Sequence, residues 1–346
     1  MNISTFDFES SHHTFIIAEL SANHNHKFDL AVETIKAAKR AGADAIKLQT
    51  YTADTITIDS DKDYFQINYG SLWDGTTLYK LYQQAYTPWE WHADLMKIAK
   101  EEGLICFSSP FDPTAVDFLE TLNVPAYKIA SFEIHDIPLI EYVASKGKPV
   151  IMSTGIATLP EIEEAVAACR RVENNKIILL KCTSAYPAPP EEANILTIPD
   201  ISQKFKLISG LSDHTIGSTV AIAAVALGAR VIEKHFILDR NEGGPDAAFS
   251  MNPDEFRQMV DDIRIVEKAL GKVNYELTEK TVKSRVHARS LFVCQDVKAG
   301  QIITTREVRS IRPGAGLHPR YLPQILGKKA KFDLEKGTPF SLNMVE

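Results

Sequence analysis

Short apolar segments alternate with amphipathic segments along most of the chain. The apolar segments are rich in Ile, Val, Leu and Phe, and most lack strict alternation, which is typical of parallel strands buried on both faces. Eight segments have this character: 15–20, 45–49, 104–109, 126–131, 149–154, 177–182, 206–212 and 231–236. We therefore predict eight parallel strands.

The segments between these strands have helical periodicity. A predicted helix at 30–41 stops at Gly42, and another at 90–102 stops at Gly103; glycine is a common residue just after a helix. Further helices are predicted at 114–122, 138–145, 161–171, 218–227 and 253–270. Eight strand-and-helix units predict an α/β fold, the closed (β/α)8 or TIM barrel.

Two parts of the sequence depart from this pattern. The segment 51–88 is too long for a plain connection between a strand and a helix. Because it follows a predicted strand end, we expect it to lie over the active face of the barrel. After Gly271 the sequence becomes charged, and from His287 short alternating runs and turn residues indicate a small module. We predict a barrel domain at 1–271, a linker at 272–286 and a second domain at 287–346.

Composition excludes several classes of protein. The 346 residues include 38 Lys and Arg against 45 Asp and Glu, a formal net charge of −7, with no basic stripe; nucleic acid is not an expected partner. The four cysteines are far apart in sequence and form no CxxC motif, so we expect them buried in a reducing compartment. We see no signal peptide and no apolar run of ~18 residues, which predicts no membrane association and a cytoplasmic location.

Chemically active side chains concentrate where the predicted strands end, at the active face of such a barrel. They are Glu19, Lys47, Gln49, Ser109, Lys128, Ser131, Glu133, Ser153, Ser184, Tyr186, Ser212, His214 and His235. Polar groups are costly to bury unless they bind something. The lysines and hydroxyls suit a small anion carrying phosphate and carboxylate, with Lys47 and Lys128 each able to contact one of these groups.

His214 and His235 close adjacent predicted strands. Two neutral imidazoles side by side can ligate a divalent ion and leave positions open for water and substrate, an arrangement that suits Mn²⁺ or another octahedral ion. The alternative is a pair of hydrogen-bonding core histidines. Glu19 ends an apolar strand without a cation near it in sequence, so we expect it to face the pocket.

Other polar residues are predicted to have ordinary roles. His24 and His26 are expected in a solvated loop rather than a metal site. Lys181 and Lys234 are expected to pair with carboxylates in the barrel interior, such as Glu233. The Cys182 thiol is not expected to be a nucleophile, because no histidine lies beside it in sequence.

Several motifs resemble those of the sialic acid synthases. They are Ile17-Ala-Glu19, Ala22-Asn-His-Asn25, Ala41-Gly-Ala-Asp44, Lys47-Leu-Gln49, Lys128-Ile-Ala-Ser131, Leu211-Ser-Asp-His214 and Ile232-Glu-Lys-His235-Phe236. The segment 312–319 looks like a loop of the antifreeze-like (SAF) domain that follows the barrel in that family. The resemblance covers almost the whole chain. It implies a TIM barrel with a C-terminal SAF domain and a transferase that condenses phosphoenolpyruvate with an acetamido sugar, using a divalent metal and releasing phosphate by C–O cleavage.

The resemblance also implies roles for individual residues. His214 and His235 would bind the metal, with Mn²⁺ the first candidate and Co²⁺ or Mg²⁺ the others. The phosphoenolpyruvate carboxylate would be held by Lys47, Ser109 and Ser131. Its phosphate would be held by Lys128, Ser153, Ser184 and Ser212, where Ser184 stands in place of an asparagine often found in the family.

On the sugar side, Glu19 would handle a proton, and Gln49, Tyr186 and Asp246 would contact the acceptor. Glu133 is grouped with these substrate-binding residues. Arg312 would reach the acetamido end of the sugar from a second subunit, which implies a domain-swapped homodimer.

The branch of the family is indicated by the sequence around 23–26, 47–56, 78–79 and 85–92, which looks like that of the pseudaminate-forming synthases. Their acceptor is a 2,4-diacetamido-2,4,6-trideoxy hexose of altro configuration. Three alternatives stay open: a legionaminate or N-acetylneuraminate synthase with the same mechanism, a phosphoenolpyruvate-using sugar-phosphate aldol synthase, and a non-catalytic barrel that binds a sugar or anion.

Overall fold

Eight parallel strands close into a barrel, as the sequence predicts. The computed structural model describes residues 1–68, 70 and 72–346, which form two compact units, Met1–Gly271 and Lys272–Glu346. The barrel strands are β1 (Phe15–Glu19), β2 (Ala45–Thr50), β3 (Ile105–Pro110), β4 (Tyr127–Ile129), β5 (Val150–Ser153), β6 (Ile177–Cys182), β7 (Ile208–Asp213) and β8 (Val231–His235). Strand β8 pairs in parallel with β1 and closes the ring.

Helices connect successive strands on the outside of the barrel. They are α1 (Phe28–Arg40), α2 (His92–Glu101), α3 (Pro113–Thr121), α4 (Ile137–Ala144), α5 (Leu159–Arg171), α6 (Thr197–Phe205), α7 (Thr219–Ala226) and α8 (Pro253–Leu270). Helix α8 starts with a capping box, in which Asn252 and Glu255 each accept the other's backbone N–H at 3.0 Å. Helix α6 was not predicted, although Ile198, Ile201 and Phe205 form its buried face.

The alternation of side chains along each strand positions the polar residues. Phe15 and Ile17 of β1 point into the barrel, where they join its interior core, while Ile16 and Ala18 pack outward. Since successive side chains point to opposite faces, Glu19 at the end of β1 points inward. The barrel interior is therefore apolar at the amino ends of the strands and polar at their carboxyl ends.

A short hairpin precedes β1 and closes the apolar end of the barrel. Its strands are Asn2–Ile3 and Phe6–Asp7, paired antiparallel. Ile3 and Phe8 are buried and belong to the same interior cluster as Phe15. We call this hairpin the hairpin plug. It was not predicted, because the N-terminal sequence is polar.

The insertion, residues 51–88, carries secondary structure of its own. It contains the helices Ala53–Ile56 and Leu78–Ala85, and a 3₁₀ turn at Asp63–Phe65. Thr77 caps the second helix by accepting the backbone N–H of Lys80.

The second unit has a small core of its own. Strands β9 (Ser290–Val293) and β10 (Val308–Ile311) pair antiparallel, and the buried core includes Leu291, Val308 and Phe340. Short helices lie at Glu279–Ser284 and Leu322–Ile325. Residues 272–286, which we predicted as a linker, are exposed and include the first of these helices. Within the described ranges, every helix is too short or too polar to cross a bilayer.

Candidate active site

Four buried charged side chains meet inside the carboxyl end of the barrel. Lys47 Nζ lies 2.6 Å from a Glu19 oxygen and 3.7 Å from a Glu233 oxygen, and Lys128 Nζ lies 2.9 Å from Glu233. These four residues are called the ion cluster below. Two cations balance two anions, which makes their burial tolerable. The cluster places Glu19, Lys47 and Lys128 together, and adds Glu233.

The partners of Glu233 differ from those we predicted. Lys234 points outward from β8 and pairs instead with Asp213 at 2.6 Å. Lys181 points outward from β6 and donates to the Cys182 carbonyl oxygen. The prediction that these two lysines pair with carboxylates of the barrel interior is therefore wrong. The alternation of Val231, Glu233 and His235 along β8 was the signal that Glu233 points inward.

The members of the ion cluster differ in how readily they change charge. Burial raises the pKa of Glu19 to about 7, although Lys47 opposes the rise. Burial also acts on Glu233, but Lys128 and Lys47 outweigh it and keep that pKa low. Burial lowers the pKa of Lys47, but Glu19 and Glu233 outweigh it and raise that pKa. Glu19 is therefore the member best suited to exchange a proton near neutral pH.

Serine hydroxyls surround the ion cluster. Ser109 Oγ accepts from Lys47 at 3.3 Å, and Ser212 Oγ donates to Glu233 at 2.9 Å. The buried hydroxyls of Ser153 and Ser184 have no hydrogen-bond partner among the described residues. Unsatisfied buried hydroxyls are rare in proteins, and a bound anion would satisfy both.

Gly155, which follows β5, allows the serines to approach. Its N–H donates to Ser131 Oγ at 3.1 Å. An added Cβ there would lie 2.7 Å from Ser131 Oγ and 2.2 Å from Ser184 Oγ, closer than a carbon can approach. A side chain at this position would fill the space among the hydroxyls.

The two predicted metal ligands lie side by side, with ring centroids 5.3 Å apart. His214 Nδ1 is 2.9 Å from the Thr183 carbonyl oxygen, so its N–H is directed there and Nε2 presents a lone pair. His235 Nδ1 is buried without a hydrogen-bond partner among the described residues, and lies 3.8 Å from Asp246. The lone pairs of His214 Nε2 and His235 Nδ1 are therefore both suited to binding a divalent ion.

The electrostatics of these two histidines differ. Burial, followed by the charge of His214, holds the pKa of His235 well below its usual value, which keeps its ring neutral as a ligand requires. Burial lowers the pKa of His214, but Cys182 outweighs it and the pKa rises. Among the described residues, no group of three or more His, Cys, Asp or Glu side chains is placed to hold a metal ion.

A hydrogen-bonded chain lies beside the ion cluster on the side expected to hold the sugar. Gln49 donates to Glu19 Oε1 at 2.9 Å and to Ser21 Oγ at 3.0 Å. Ser21 in turn donates to the buried Asp246 carboxylate. Gln49 and Asp246 are thus brought together as predicted. Ser21, which the sequence analysis did not single out, joins them.

Tyr186 and Glu133 complete the predicted group within the barrel. The Tyr186 ring lies 4.4 Å from the His214 ring, centroid to centroid. Glu133, in a 3₁₀ turn after β4, has one buried oxygen without a hydrogen-bond partner among the described residues. Burial raises its pKa to about 7. Arg312 is exposed in the second unit, just after β10.

The insertion reaches this end of the barrel, as expected. The Trp73 indole N–H donates to the Pro245 carbonyl oxygen at 2.9 Å, next to Asp246 in sequence. The Trp73 ring lies 5.6 Å from that of Tyr186. Tyr82 of the insertion contacts the ring of Tyr51 at 5.7 Å.

Two predictions about neighbouring residues need correction or qualification. His24 is fully buried rather than solvated; it contacts Thr87 Oγ1 at 3.0 Å and accepts the His26 backbone N–H at 3.1 Å. Cys182 has a histidine beside it in space, since His214 Nδ1 is 3.8 Å from its sulfur. Burial raises the pKa of this thiol, but His214 outweighs it and brings the pKa to about 7.

The chain is similar to known proteins over most of its length. The NeuB family model matches residues 34–275, and the SAF domain model matches residues 288–346. The chain is 48% identical over 331 residues to a pseudaminic acid synthase of Campylobacter jejuni, covering 96% of each chain. It is 49% identical over 332 residues to the pseudaminic acid synthase of Helicobacter pylori, covering 96% of this chain and 97% of that one. A crystal structure of N-acetylneuraminic acid synthetase from Leptospira borgpetersenii, in complex with citrate, is 31% identical with a TM-score of 0.70, covering 79% of this chain and 90% of the other.

Proposed function

This chain belongs to the NeuB family, and we propose that it is a transferase that forms pseudaminate. The reaction condenses phosphoenolpyruvate with 2,4-diacetamido-2,4,6-trideoxy-altrose and water, and releases phosphate by C–O cleavage. The observation that carries the proposal is the 48% identity with a pseudaminic acid synthase over 96% of the chain. The buried lysines and unsatisfied hydroxyls at the carboxyl end of the barrel support it.

Phosphoenolpyruvate would bind at the ion cluster and its serines. Its phosphate would accept from Lys128 and from the hydroxyls of Ser153, Ser184 and Ser212, and the Ser212 hydroxyl would turn from Glu233 to the phosphate. Its carboxylate would accept from Lys47, Ser109 and Ser131. Charged hydrogen bonds in a buried site are strong, and the anion supplies acceptors to the two hydroxyls that have no partner. Glu233 would keep both lysines oriented before the substrate arrives.

A divalent metal would be held by His214 and His235, with Mn²⁺ as the first candidate and Co²⁺ or Mg²⁺ as the others. When bound, such an ion supplies Lewis-acid polarisation of the sugar aldehyde. Two observations support this assignment. His235 Nδ1 has no hydrogen-bond partner among the described residues, and the hydrogen bond from His214 Nδ1 to the Thr183 carbonyl leaves Nε2 available as a ligand.

Two carboxyl groups with a pKa of about 7 would carry the protons. As C3 of phosphoenolpyruvate attacks the aldehyde carbon, the aldehyde oxygen gains a proton, which Glu133 supplies. Water then adds at C2 and loses a proton, which Glu19 accepts. The new C2 hydroxyl passes its proton to the phosphate oxygen as the bond between C2 and that oxygen breaks, which leaves a ketone and hydrogen phosphate. Glu19 then releases its proton to water and Glu133 takes one up, so that both carboxyl groups return to their starting states.

The remaining features of the proposal rest on the family. Gln49, Tyr186 and Asp246 would hold the acceptor sugar. Arg312 would contact its acetamido end from the second subunit of a domain-swapped homodimer, and the cytoplasm is the predicted location. An Arg312→Ala variant tests the Arg312 contact, and a measurement of mass in solution tests the homodimer.

The deciding experiment measures phosphate release from phosphoenolpyruvate with Mn²⁺ and three acceptors in parallel. These are the altro 2,4-diacetamido-6-deoxy sugar, its manno isomer and N-acetylmannosamine. Release with the first alone is expected. Release with either of the others would replace the substrate assignment with that of a legionaminate or N-acetylneuraminate synthase. No release with any acceptor, from folded and metal-loaded protein, would contradict the proposed activity.

A further inference from the structure

Three aromatic rings form a continuous surface beside the candidate metal ligands. The Tyr186 ring lies 4.4 Å from His214, 5.2 Å from Phe249 and 5.6 Å from Trp73, measured between centroids. Phe249 also lies 4.9 Å from His235. We call Trp73, Tyr186 and Phe249 the aromatic wall. Of these three residues, Trp73 belongs to the insertion.

Trp73 is held in place by a hydrogen bond to a segment that carries a predicted sugar contact. Its indole N–H donates to the Pro245 carbonyl oxygen at 2.9 Å, immediately before Asp246. Asp246 accepts from Ser21, to which Gln49 also donates. A tryptophan side chain has one polar group, the N–H, which can only donate. Because that group is directed to Pro245, the ring presents only apolar surface to a neighbouring ligand.

Resting on the proposed function, we propose that Trp73 determines acceptor specificity, because the aromatic wall receives the C6 methyl group of a 6-deoxy sugar. A methyl group gains from contact with the rings. A C6 hydroxyl in the same place would lose its hydrogen bonds to water without a replacement from Trp73. The wall lies next to His214 and His235, where the other end of the acceptor, its aldehyde, would be held.

The kinetic test compares two acceptors that differ by one oxygen atom. They are 2,4-diacetamido-2,4,6-trideoxy-altrose and its 6-hydroxy counterpart, each assayed by phosphate release with the full chain and Mn²⁺. For the unaltered protein we expect a preference for the 6-deoxy sugar of about 100-fold in kcat/KM, the size typical for an apolar pocket that rejects a hydroxyl. Trp73→Ala should reduce that preference below about tenfold while the KM for phosphoenolpyruvate stays within about twofold. Trp73→Phe, which keeps an apolar ring, should retain most of it.

A matched control is available within the insertion and its border. The Trp89 indole N–H donates to the Tyr51 carbonyl oxygen at 3.1 Å, but its ring stacks on Phe118 of α3 at 4.9 Å. Trp89→Ala makes the same chemical change as Trp73→Ala but away from the aromatic wall. At a temperature where the variant is folded, it should leave the preference between the two sugars unchanged. An equal preference in Trp73→Ala and the unaltered protein would overturn the inference.

A binding measurement separates this inference from the proposed reaction. Saturation-transfer NMR, with irradiation of aromatic protons, should give a strong signal on the C6 methyl of the 6-deoxy sugar bound to the unaltered protein. That signal should weaken clearly in Trp73→Ala, in which two of the three rings remain, and keep its strength in Trp89→Ala. If this result appears without any phosphate release, the specificity inference stands and the proposed reaction falls. An absent methyl signal, or one that Trp73→Ala leaves intact, would overturn the inference whether or not the protein releases phosphate.

Discussion

At the scale of single residues, substitutions in the ion cluster should affect stability and activity separately. Lys128→Met leaves Glu233 buried with a more distant cation, Lys47 at 3.7 Å. We expect the free energy of unfolding to fall by about 3–5 kcal/mol, as when one partner of a buried pair is removed. Adding Glu233→Gln removes the uncompensated charge and should restore most of that loss. Activity should be absent in both variants, because the phosphate contact of Lys128 is gone.

Urea unfolding and phosphate release measure the two effects on the same preparations. Lys148→Met is the control, since it breaks a pair with Glu120 that lies outside the barrel interior and is partly exposed. Its effect on unfolding should stay within about 1 kcal/mol. Equal destabilisation by the single and double variants would show that the cluster is not coupled as its distances indicate.

The pH dependence of activity follows from the two raised carboxyl pKa values. If Glu19 accepts a proton it must be ionised, so activity rises with pH through its pKa of about 7. If Glu133 donates one it must be protonated, so activity falls through its own pKa of about 7. The result is a narrow bell near neutral pH in kcat/KM. Glu19→Gln should lower activity strongly and remove the acidic limb, and Glu133→Gln the alkaline limb. A profile that is flat between pH 6 and about 8 in the unaltered protein would contradict both roles.

The sequence predicted most residues of the site but not their partners. Glu19 could be expected to face the pocket, because it ends an apolar strand without a cation near it in sequence. Glu233 lies 105 residues from Lys128, and their contact crosses the barrel. Such a contact depends on the register of all eight strands, which no local pattern contains. Lys181 and Lys234 were predicted to pair with carboxylates of the barrel interior because their true partners also could not be identified from local sequence. The alternation of side chains along their own strands turns both lysines outward.

At the scale of secondary structure, two glycines should respond differently to the same substitution: Gly155, which follows β5, and Gly210, which lies within β7. Gly155→Ala places a Cβ 2.2 Å from Ser184 Oγ and 2.7 Å from Ser131 Oγ, both of which can move. We expect a folded protein whose KM for phosphoenolpyruvate rises about tenfold, the effect of about 1.4 kcal/mol of lost binding. Gly210→Ala places a Cβ 2.3 Å from the backbone oxygen of Val231 in the adjacent strand, which cannot move without opening the barrel. This variant should lose about 3 kcal/mol of stability or more.

Thermal unfolding and substrate kinetics distinguish the two glycine variants. Ser184→Ala serves as the companion of Gly155→Ala, since it removes one hydroxyl without adding volume. A smaller increase in the KM for phosphoenolpyruvate is expected for it. An unchanged KM in Gly155→Ala would show that the serines do not surround the anion.

The predictable elements are those with a strong local signal. The seven predicted helices carry an apolar stripe and, in several cases, a terminal glycine, and all seven are present. Helix α6 follows Pro187, Pro189 and Pro190 and contains Pro199, so its start resembles an irregular loop. Its buried face of Ile198, Ile201 and Phe205 is too short to stand out without the strand that it covers. The N-terminal hairpin was missed because its stability comes from packing against the barrel.

At the scale of the whole molecule, the hairpin plug should contribute to stability and not to chemistry. Phe8 is 4% exposed and its ring lies 4.9 Å from Phe6 and 5.8 Å from Phe15. Phe8→Ala should lower the free energy of unfolding by about 3–5 kcal/mol. Because the plug lies at the end of the barrel opposite the ion cluster, kcat should change by less than about twofold at a temperature where the variant is folded. A large loss of kcat in folded protein would mean that the two ends of the barrel are coupled.

The acid stability of the molecule should depend on two buried histidines. Burial lowers the pKa of His92 to about 4 and that of His24 to about 3, and both rings bond to hydroxyls, of Thr50 and Thr87 respectively. An unfolded histidine titrates at about 6.5, so below that pH the unfolded state binds more protons. The stability contributed by these rings is therefore complete above about pH 6.5 and is lost as the pH falls towards 4 and 3. Glu19 and Glu133, whose pKa values are raised, act in the opposite direction between about pH 4.5 and 7, so the total slope does not isolate the histidines.

A difference between variants does isolate one of them. We subtract the free energy of unfolding of the unaltered protein from that of His92→Gln. This difference should be more positive at pH 5 than at pH 8, because only the unaltered protein loses the stability that its neutral His92 contributes. The expected change is about 2 kcal/mol, since one and a half pH units below the unfolded pKa correspond to about that much. His12→Gln, at an exposed position, should give the same difference at both pH values. Urea titrations at the two pH values measure this difference. If His92→Gln behaves like His12→Gln, then His92 gains its proton in the folded protein without losing its contacts with Thr50 of β2 and with Pro88, and the prediction is contradicted.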